Sequence, residues 1–128
     1  MLSKEFRFHG HGSLRYLHRN GQTVRDRSLL LKFTENKQRD HSRIAVVVGK
    51  KVAKSAVKRN RIRRRIFEVI RTHWDQLKPG NDLMFTVFTA EFFTMPPAEV
   101  ERHVISLLTS AHLYDTTEDK SDKIEGNL

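Results

Sequence analysis

The residues best suited to chemistry in this sequence are the basic side chains of one segment, residues 49–65. The candidates for binding phosphate are Lys50, Lys51, Lys54, Lys58, Arg59, Asn60, Arg61, Arg63, Arg64 and Arg65. Arginine suits a phosphate because its planar guanidinium can donate two parallel hydrogen bonds. An asparagine amide among the arginines can both donate and accept, toward a ribose hydroxyl or a base edge. The segment therefore predicts binding of a nucleic acid.

The distribution of charge along the chain supports this interpretation. The formal net charge is +9, and residues 43–71 alone hold eleven basic residues and one acid, Glu68. A charged face that only keeps a protein soluble normally mixes both signs and forms i,i+4 pairs. Crowded like charges repel one another unless a polyanion neutralises them. The concentration of charge favours a polyanionic partner over a merely solvated helix face.

Hydrophobic periodicity predicts the elements that position this segment. Between residues 55 and 74, Ile62, Ile66, Val69 and Ile70 fall on one side of a helix, and the arginines fall on the other. Before this segment, the pattern predicts an extended or mobile arm over 1–10 and a helix over 13–20 that ends at Gly21. Strands are predicted over 28–34, 43–49 and 82–89, with a loop over 35–42 and a turn at 79–81. A last helix begins at Pro96-Pro97.

This order of elements predicts an α/β sandwich in which helices pack on one sheet. The length of 128 residues suits a single domain over 1–114, followed by an acidic, disordered tail over 115–128. No apolar run approaches the roughly 20 residues that a membrane span needs. The start of the chain lacks the apolar stretch of a signal peptide, and the absence of cysteine fits a reducing compartment. We therefore expect a soluble, cytoplasmic protein without a membrane partner.

The sequence predicts no catalytic residue and no metal site in the protein. His9 and His11, with His18 nearby, are not preorganised for a metal, and no acidic cluster stands beside them. Lys50 and Lys51 follow a glycine, but a phosphate loop would also need Gly at the position of Ile44. No nucleophile motif or catalytic pair of acids is visible.

The type of nucleic acid follows from what accompanies the basic helix. None of the patterns typical of DNA-binding motifs is visible, so we expect no DNA partner. A sheet beside a basic helix and a basic arm suits an RNA backbone. Phe6, Phe8 and Tyr16 could stack on single-stranded bases or pack in the core, and the sequence leaves both open.

Two stretches of the chain resemble the bacterial ribonuclease P protein subunit. They are residues 43–51 (Arg-Ile-Ala-Val-Val-Val-Gly-Lys-Lys) and residues 57–64 (Val-Lys-Arg-Asn-Arg-Ile-Arg-Arg). A looser match extends from Arg7 to Tyr114. The resemblance implies one mixed sheet in the order α-β-β-(β)-α-β-α, with a left-handed β-α-β crossover.

The same resemblance implies a function and a set of sites. The protein would be the small subunit of a ribonucleoprotein that removes 5′ leaders from precursor tRNA. The RNA subunit and its Mg²⁺ would perform the cleavage, and the protein alone would hold no cofactor. The ten residues of the basic segment would contact the RNA subunit. The aromatic positions of a leader-binding cleft fall at Leu14, His18 and Lys32, where only His18 can stack. Tyr16 or Phe33 are the candidates to replace the missing rings.

Two other functions remain open on the sequence alone. One is a non-enzymatic RNA-binding module, such as a ribosome-associated protein. The other is a nuclease that needs no RNA subunit, which the missing carboxylate cluster disfavours. Stimulated cleavage of precursor tRNA in the presence of the RNA subunit would distinguish the expected function from both.

Overall fold

Three α-helices and four β-strands follow one another in the computed structural model, which describes residues 4–8, 11–36 and 40–115. They are α1 (His11–Asn20), β1 (Gln22–Arg25), β2 (Leu29–Glu35), β3 (Arg43–Val48), α2 (Ala56–Thr72), β4 (Asn81–Val87) and α3 (Pro97–Ser110). Short 3-10 helices occupy Lys4–Phe6, Trp74–Gln76 and Ala90–Phe93. Each predicted helix and strand is confirmed to within a few residues.

The sheet is mixed, with the strand order β1-β2-β4-β3. β2 pairs antiparallel with β1 and β4, whereas β3 and β4 are parallel neighbours joined through α2. A parallel pair requires such a crossover, because the chain must return to the same end of the sheet before the second strand begins. The predicted fold class is confirmed, and the left-handed sense of the crossover stays a prediction. Three strands precede α2, so the optional strand of the predicted order is present. β1 is the strand that the sequence did not place, because the segment Gln-Thr-Val-Arg is too short and polar for a strand pattern.

One face of the sheet packs against α2 and α3 and forms the main core. α2 contributes Ile62, Ile66, Phe67 and Ile70, all buried. Phe67 was not in the predicted stripe, and Val69, which was, lies half-buried at its edge. From the sheet come Leu29, Leu31, Phe33, Ile44, Val46, Val48, Leu83, Phe85 and Val87, and from α3 come Val100, Val104, Leu107 and Leu108.

The other face of the sheet is only partly covered, and we refer to it as the open face. Leu17 of α1 and Phe8 pack there on Ala45 and Met84, in a second and smaller cluster. α1 ends just before Gly21, whose N–H donates to the Leu17 carbonyl at 2.8 Å. A side chain at Gly21 would place its Cβ 2.5 Å from that oxygen, so the predicted glycine stop also allows a close approach of the backbone.

The described part of the predicted N-terminal arm is docked on the sheet rather than mobile. Arg7 forms a parallel bridge with Ile44 at the edge of β3, and the Phe8 N–H donates to the Ile44 carbonyl at 3.1 Å. Phe8 is buried, and the Phe6 ring lies 4.7 Å from Trp74, centroid to centroid. Burial of these rings against distant residues explains why a local pattern did not reveal the docking.

The predicted boundary between the domain and its acidic tail is not tested by the structure. Tyr114 still bridges to Leu77, and the Asp115 N–H donates to the Gln76 carbonyl at 2.7 Å. Residues 116–128, which hold the rest of the predicted tail, lie outside the described residues. Within the described ranges no helix has the length and apolar character of a membrane span.

A carboxylate in the turn between β1 and β2 makes stability depend on pH. Asp26 Oδ1 accepts the Ser28 and Leu29 N–H groups at 2.7 and 2.8 Å, and Oδ2 lies 2.8 Å from His103 Nδ1 on α3. Burial alone would raise the pKa of Asp26, but the hydrogen bonds from His103, Ser28 and Leu29 outweigh it and lower that pKa below its ordinary value of 3.8.

We expect Asp26 to stabilise the fold above about pH 4 and to lose this contribution as the pH falls through its lowered pKa. A depressed pKa means that the folded state favours the ionised carboxylate, which acid removes. Urea unfolding of the wild type and of Asp26→Asn between pH 6 and pH 3 measures the effect. The gap between their unfolding free energies should be constant at the upper end and shrink at the lower end. A gap that does not change with pH would contradict the assignment.

Candidate nucleic-acid interface

The predicted basic segment begins with a loop that is tied to the first turn of α2. Ser55 caps the helix, since its hydroxyl accepts the Lys58 N–H at 3.4 Å. Arg59 Nη1 donates to the carbonyls of Ala53 and Lys54, at 2.9 and 2.8 Å. The guanidinium of Arg59 therefore holds the loop against the helix. Three exposed lysines of this loop stand beside the helix: Lys50, Lys51 and Lys54.

The exposed side of α2 continues the row of positive charges. We define the basic surface as the exposed lysines and arginines of the loop and helix, namely Lys50, Lys51, Lys54, Lys58, Arg61 and Arg64. The exposed amide side chain of Asn60 adjoins it. The i,i+3 and i,i+4 spacings place these helix residues on one side of α2, which is the arrangement that the sequence predicts.

Glu68, the one acid of α2, is turned toward the end of the helix. Both of its carboxylate oxygens accept the Arg71 Nε–H, at 3.1 Å each. The hydrogen bond from Arg71 lowers the pKa of Glu68, so the acid stays ionised and is paired there. Its charge is therefore directed to Arg71, and the positive charges of Arg61 and Arg64 face solvent.

Two further arginines of the predicted interface are, like Arg59, half-buried and bonded within the protein. Arg65 Nη1 donates to the Phe92 carbonyl at 2.7 Å, and Arg65 Nη2 donates to the Met95 carbonyl. Arg63 donates to the side-chain oxygen of Asn60. Burial, assisted by the neighbouring charges of Arg59 and Arg61, lowers the pKa values of Arg63 and Arg65. Arg59 and Arg65 thus hold neighbouring segments on α2 as well as carrying charge.

The sequence did not reveal that an aromatic ring, that of Phe93, lies under part of the basic surface. The Lys58 ammonium lies 5.2 Å from the ring centroid of Phe93, and the Arg61 guanidinium carbon lies 5.4 Å from it. Phe93 belongs to the 3-10 helix that Arg65 binds through the Phe92 carbonyl. Cation–π attraction of this kind restrains long side chains that would otherwise be free in water. No periodic signal marks Phe93, because its helix has a single turn.

The three predicted cleft positions come together on the open face of the sheet. Lys32 Nζ lies 3.5 Å from His18 Nδ1, so β2 and α1 bring these side chains into contact. Leu14 packs one turn earlier on α1, against the cluster of Phe8, Leu17, Ala45 and Met84. Lys32 and Leu14 are half-buried and His18 is exposed. A cleft between α1 and the open face therefore exists at these positions, with one imidazole and no phenyl ring among them.

Neither of the two candidates to replace the missing rings lies beside Leu14, His18 and Lys32 in this cleft. Phe33 points into the main core and is only 9% exposed, because it alternates with Lys32 along β2. Tyr16 is 57% exposed, but it lies about 160° around α1 from both Leu14 and His18, on the side away from the sheet. Phe8, left open between packing and stacking, is buried, and Phe6 packs against Trp74.

Residues that could hold a metal do not gather in the described parts of the chain. There, no group of three or more His, Asp or Glu side chains is close enough to share an ion. His9 and the side chain of His11 lie outside the described residues, so the expectation for this pair is untested.

Comparison with known proteins gives a consistent family. The Ribonuclease P family model matches residues 2–112. The Ribonuclease P protein component of a Synechococcus strain is 42% identical over 77 residues, which are 60% of this chain and 57% of that protein. The component from Synechocystis is 35% identical over 86 residues, 67% of this chain and 69% of that protein.

A solved structure agrees with this result at the level of the fold. The RNase P protein of Staphylococcus aureus has a TM-score of 0.77 with this chain, at 23% sequence identity, and the match covers 86% of this chain and 98% of that one. The family model spans both the basic segment and the cleft. On these grounds the chain belongs to the bacterial ribonuclease P protein family.

Proposed function

We propose that this chain is the protein component of a ribonuclease P that matures the 5′ ends of tRNA. It binds the catalytic RNA subunit through the basic surface and holds the 5′ leader of precursor tRNA in the cleft beside α1. The observation that carries the proposal is the uniform sign of the basic surface: its exposed cations face solvent, and the one acid of α2 is paired with Arg71. Such a surface is matched by closely spaced phosphates.

The contribution of the protein under this proposal is electrostatic. Bringing precursor tRNA to the RNA subunit crowds phosphates of two polyanions, and cations between them lower the repulsion. Lys58 and Arg61 are held by Phe93 and therefore lose less side-chain freedom on binding. Catalysis is assigned to the RNA subunit, and Mg²⁺ to that RNA, as the family resemblance implies. A tRNA-processing complex of this kind would work in the cytoplasm, without DNA or a membrane as partner.

The cleft is the part of the proposal that concerns the substrate. α1 forms one wall, with Leu14 and His18, and the open face of the sheet forms the floor, with Lys32. An ammonium beside an imidazole and apolar side chains suits a single strand, whose phosphates and base faces are both exposed. The location on the sheet face opposite α2 and α3 leaves the floor open to a ligand.

Reconstitution tests the proposal. The full chain, the ribonuclease P RNA and precursor tRNA are combined at a Mg²⁺ concentration that is too low for efficient cleavage by the RNA alone. We expect the chain to raise the cleavage rate and to yield the mature 5′ end, and we expect the chain without the RNA to cleave nothing. Cleavage by the RNA-free chain would indicate a protein nuclease. Tight RNA binding without stimulation would indicate a non-enzymatic RNA-binding module.

A further inference from the structure

An aromatic side chain lies at the far end of the open face, beyond the residues assigned to the cleft. Phe88 follows β4 directly and is 42% exposed. Its N–H donates to the Ser28 carbonyl at 2.9 Å, which fixes the backbone next to the start of β2. The preceding Val87 is buried in the main core, so Phe88 projects from the opposite face, the one that carries Lys32.

The guanidinium of Arg25 lies over the Phe88 ring. The guanidinium carbon of Arg25, the last residue of β1, lies 4.9 Å from the centroid of Phe88. The acid that follows Arg25 in the chain does not face it, because the Asp26 carboxylate is bonded to His103 and to the N–H groups of Ser28 and Leu29. A planar cation and a phenyl ring, both at the surface, form a site at which flat aromatic ligands stack.

Strand register connects this pair to the cleft. Arg25, Leu30, Thr86 and Val47 lie side by side across the four strands, one row along from the row of Lys32 and Met84. Met84 is buried in the cluster that contains Leu17 of α1, whereas Val47 is 40% exposed. Phe88, directly after β4, is four residues from Met84, which is about 13 Å along an extended chain. The row of Arg25, Leu30, Thr86 and Val47 therefore forms a surface that extends from α1 to the Phe88 ring.

The positive charge of residues 11–34 favours a ligand that carries phosphates. Residues 11–34 contain five basic residues, Arg15, Arg19, Arg25, Arg27 and Lys32, and one acid, Asp26. Arg25 and Lys32 lie on the face that exposes the ring, so phosphates are attracted to that face. A base in a duplex is already stacked on its neighbours, whereas a base in a single strand has a free face for a protein ring.

We propose that Phe88 and Arg25 form a stacking platform for one base of the single-stranded leader of precursor tRNA. This inference rests on the proposed function and deepens it. Phe88, at the end of β4, provides the aromatic ring that the cleft lacks. The positions considered for such a ring on the sequence do not provide it: Leu14, His18, Lys32, Tyr16 and Phe33. The leader then runs from the wall of α1 across the row of Leu30 and Thr86 to the ring.

The test uses the reconstituted holoenzyme and two precursor tRNAs, one with a long single-stranded leader and one whose leader is a single nucleotide. Dissociation constants are measured for the wild type and for Phe88→Leu, Phe88→Trp and Arg25→Gln. Arg102→Gln is the matched control for charge, because Arg102 is an exposed arginine on α3. A fluorescent adenine analogue placed at successive leader positions reports stacking directly, and thermal unfolding verifies that each variant folds.

We expect Phe88→Leu to weaken binding of the long-leader substrate by about 5- to 150-fold, the range that loss of one base–aromatic stack produces. Binding of the one-nucleotide substrate should not change. Phe88→Trp should bind like the wild type, because a larger ring still stacks. Arg25→Gln should weaken only the long-leader substrate, and Arg102→Gln neither. Quenching of the analogue at one leader position should disappear in Phe88→Leu.

The outcomes separate the platform from the function on which it rests. If the wild type prefers the long leader and Phe88→Leu keeps that preference and the quenching, the platform is wrong and the proposed function stands. If Phe88→Leu weakens both substrates equally, Phe88 acts on the fold or on assembly, and the platform is again wrong. If the wild type neither stimulates cleavage nor distinguishes the leaders, the proposed function fails, and the platform fails with it.

Discussion

Replacing Arg61 and Arg64 with alanine is expected to weaken binding of the ribonuclease P RNA by about 25- to 60-fold at about 0.1 M salt. Both side chains are exposed on the basic surface. If each neutralises one phosphate, counterion release contributes roughly 0.7–0.9 log units per phosphate for each tenfold change in salt. The slope of log affinity against log salt should therefore flatten by about 1.4–1.8, and the two curves should converge near 1 M. Titration across salt concentrations measures both quantities.

A matched double variant controls for the loss of two charges. Lys78 and Arg102 are exposed and lie outside the basic surface, and within the described ranges Arg102 has only a long contact of 3.5 Å with Glu99. Lys78→Ala with Arg102→Ala should leave the slope close to that of the wild type. Equal losses in both double variants would show that only the total charge matters. An unchanged slope in the Arg61 and Arg64 variant would remove these residues from the contact surface.

Replacing Asp82 with alanine is expected to lower the free energy of unfolding by about 3–5 kcal/mol, the usual effect of removing one partner of a buried ion pair. Arg43 and Asp82 are register partners on β3 and β4. Arg43 Nε donates to Asp82 Oδ1 at 3.0 Å, and Nη2 donates to Oδ2 at 2.8 Å. Both side chains are largely buried, at 13% and 8% exposure, so the substitution removes the carboxylate that balances a desolvated guanidinium. Urea unfolding at neutral pH measures the effect.

A second variant distinguishes the loss of the ion pair from simple loss of packing. Arg43→Met combined with Asp82→Leu replaces both charges with apolar groups, and it should recover most of the stability. Asp75→Ala, at an exposed aspartate, should change the unfolding free energy by less than about 0.5 kcal/mol. If Asp82→Ala stays within about 1 kcal/mol of the wild type, the pair does not stabilise the junction of β3 and β4.

The helix that carries the basic surface could be predicted in detail because all of its signals are local. The i,i+3 and i,i+4 spacing of isoleucines sets the buried side, and the arginines then occupy the other side. The apolar strands β2, β3 and β4 were predictable for a similar reason, since their β-branched and aromatic runs suit buried strands. β1 was not placed, because an edge strand of four mostly exposed residues carries little apolar pattern.

The roles of individual arginines were not predictable, since they depend on partners far along the chain. Arg65 binds the Phe92 carbonyl, 27 residues away, and Arg25 lies on the ring of Phe88. A sequence pattern treats Arg61 and Arg65 alike because both lie on the polar side of α2. The packing of the Ala90–Phe93 turn separates them, since its Phe92 carbonyl binds the half-buried Arg65 side chain, whereas the Arg61 side chain is exposed.

By itself, the sequence determined where positive charge concentrates, which side of α2 is apolar and which family the motif resembles, because these properties depend on residue type and on spacing within one element. Only the tertiary structure decided that Phe33 and Tyr16 lie away from the cleft and that Phe88 lies at the far end of the open face. The position of a ring depends on which face of the sheet α1 covers, and contacts between residues distant in sequence, such as Phe8 with Ala45 and Leu17 with Met84, set that choice.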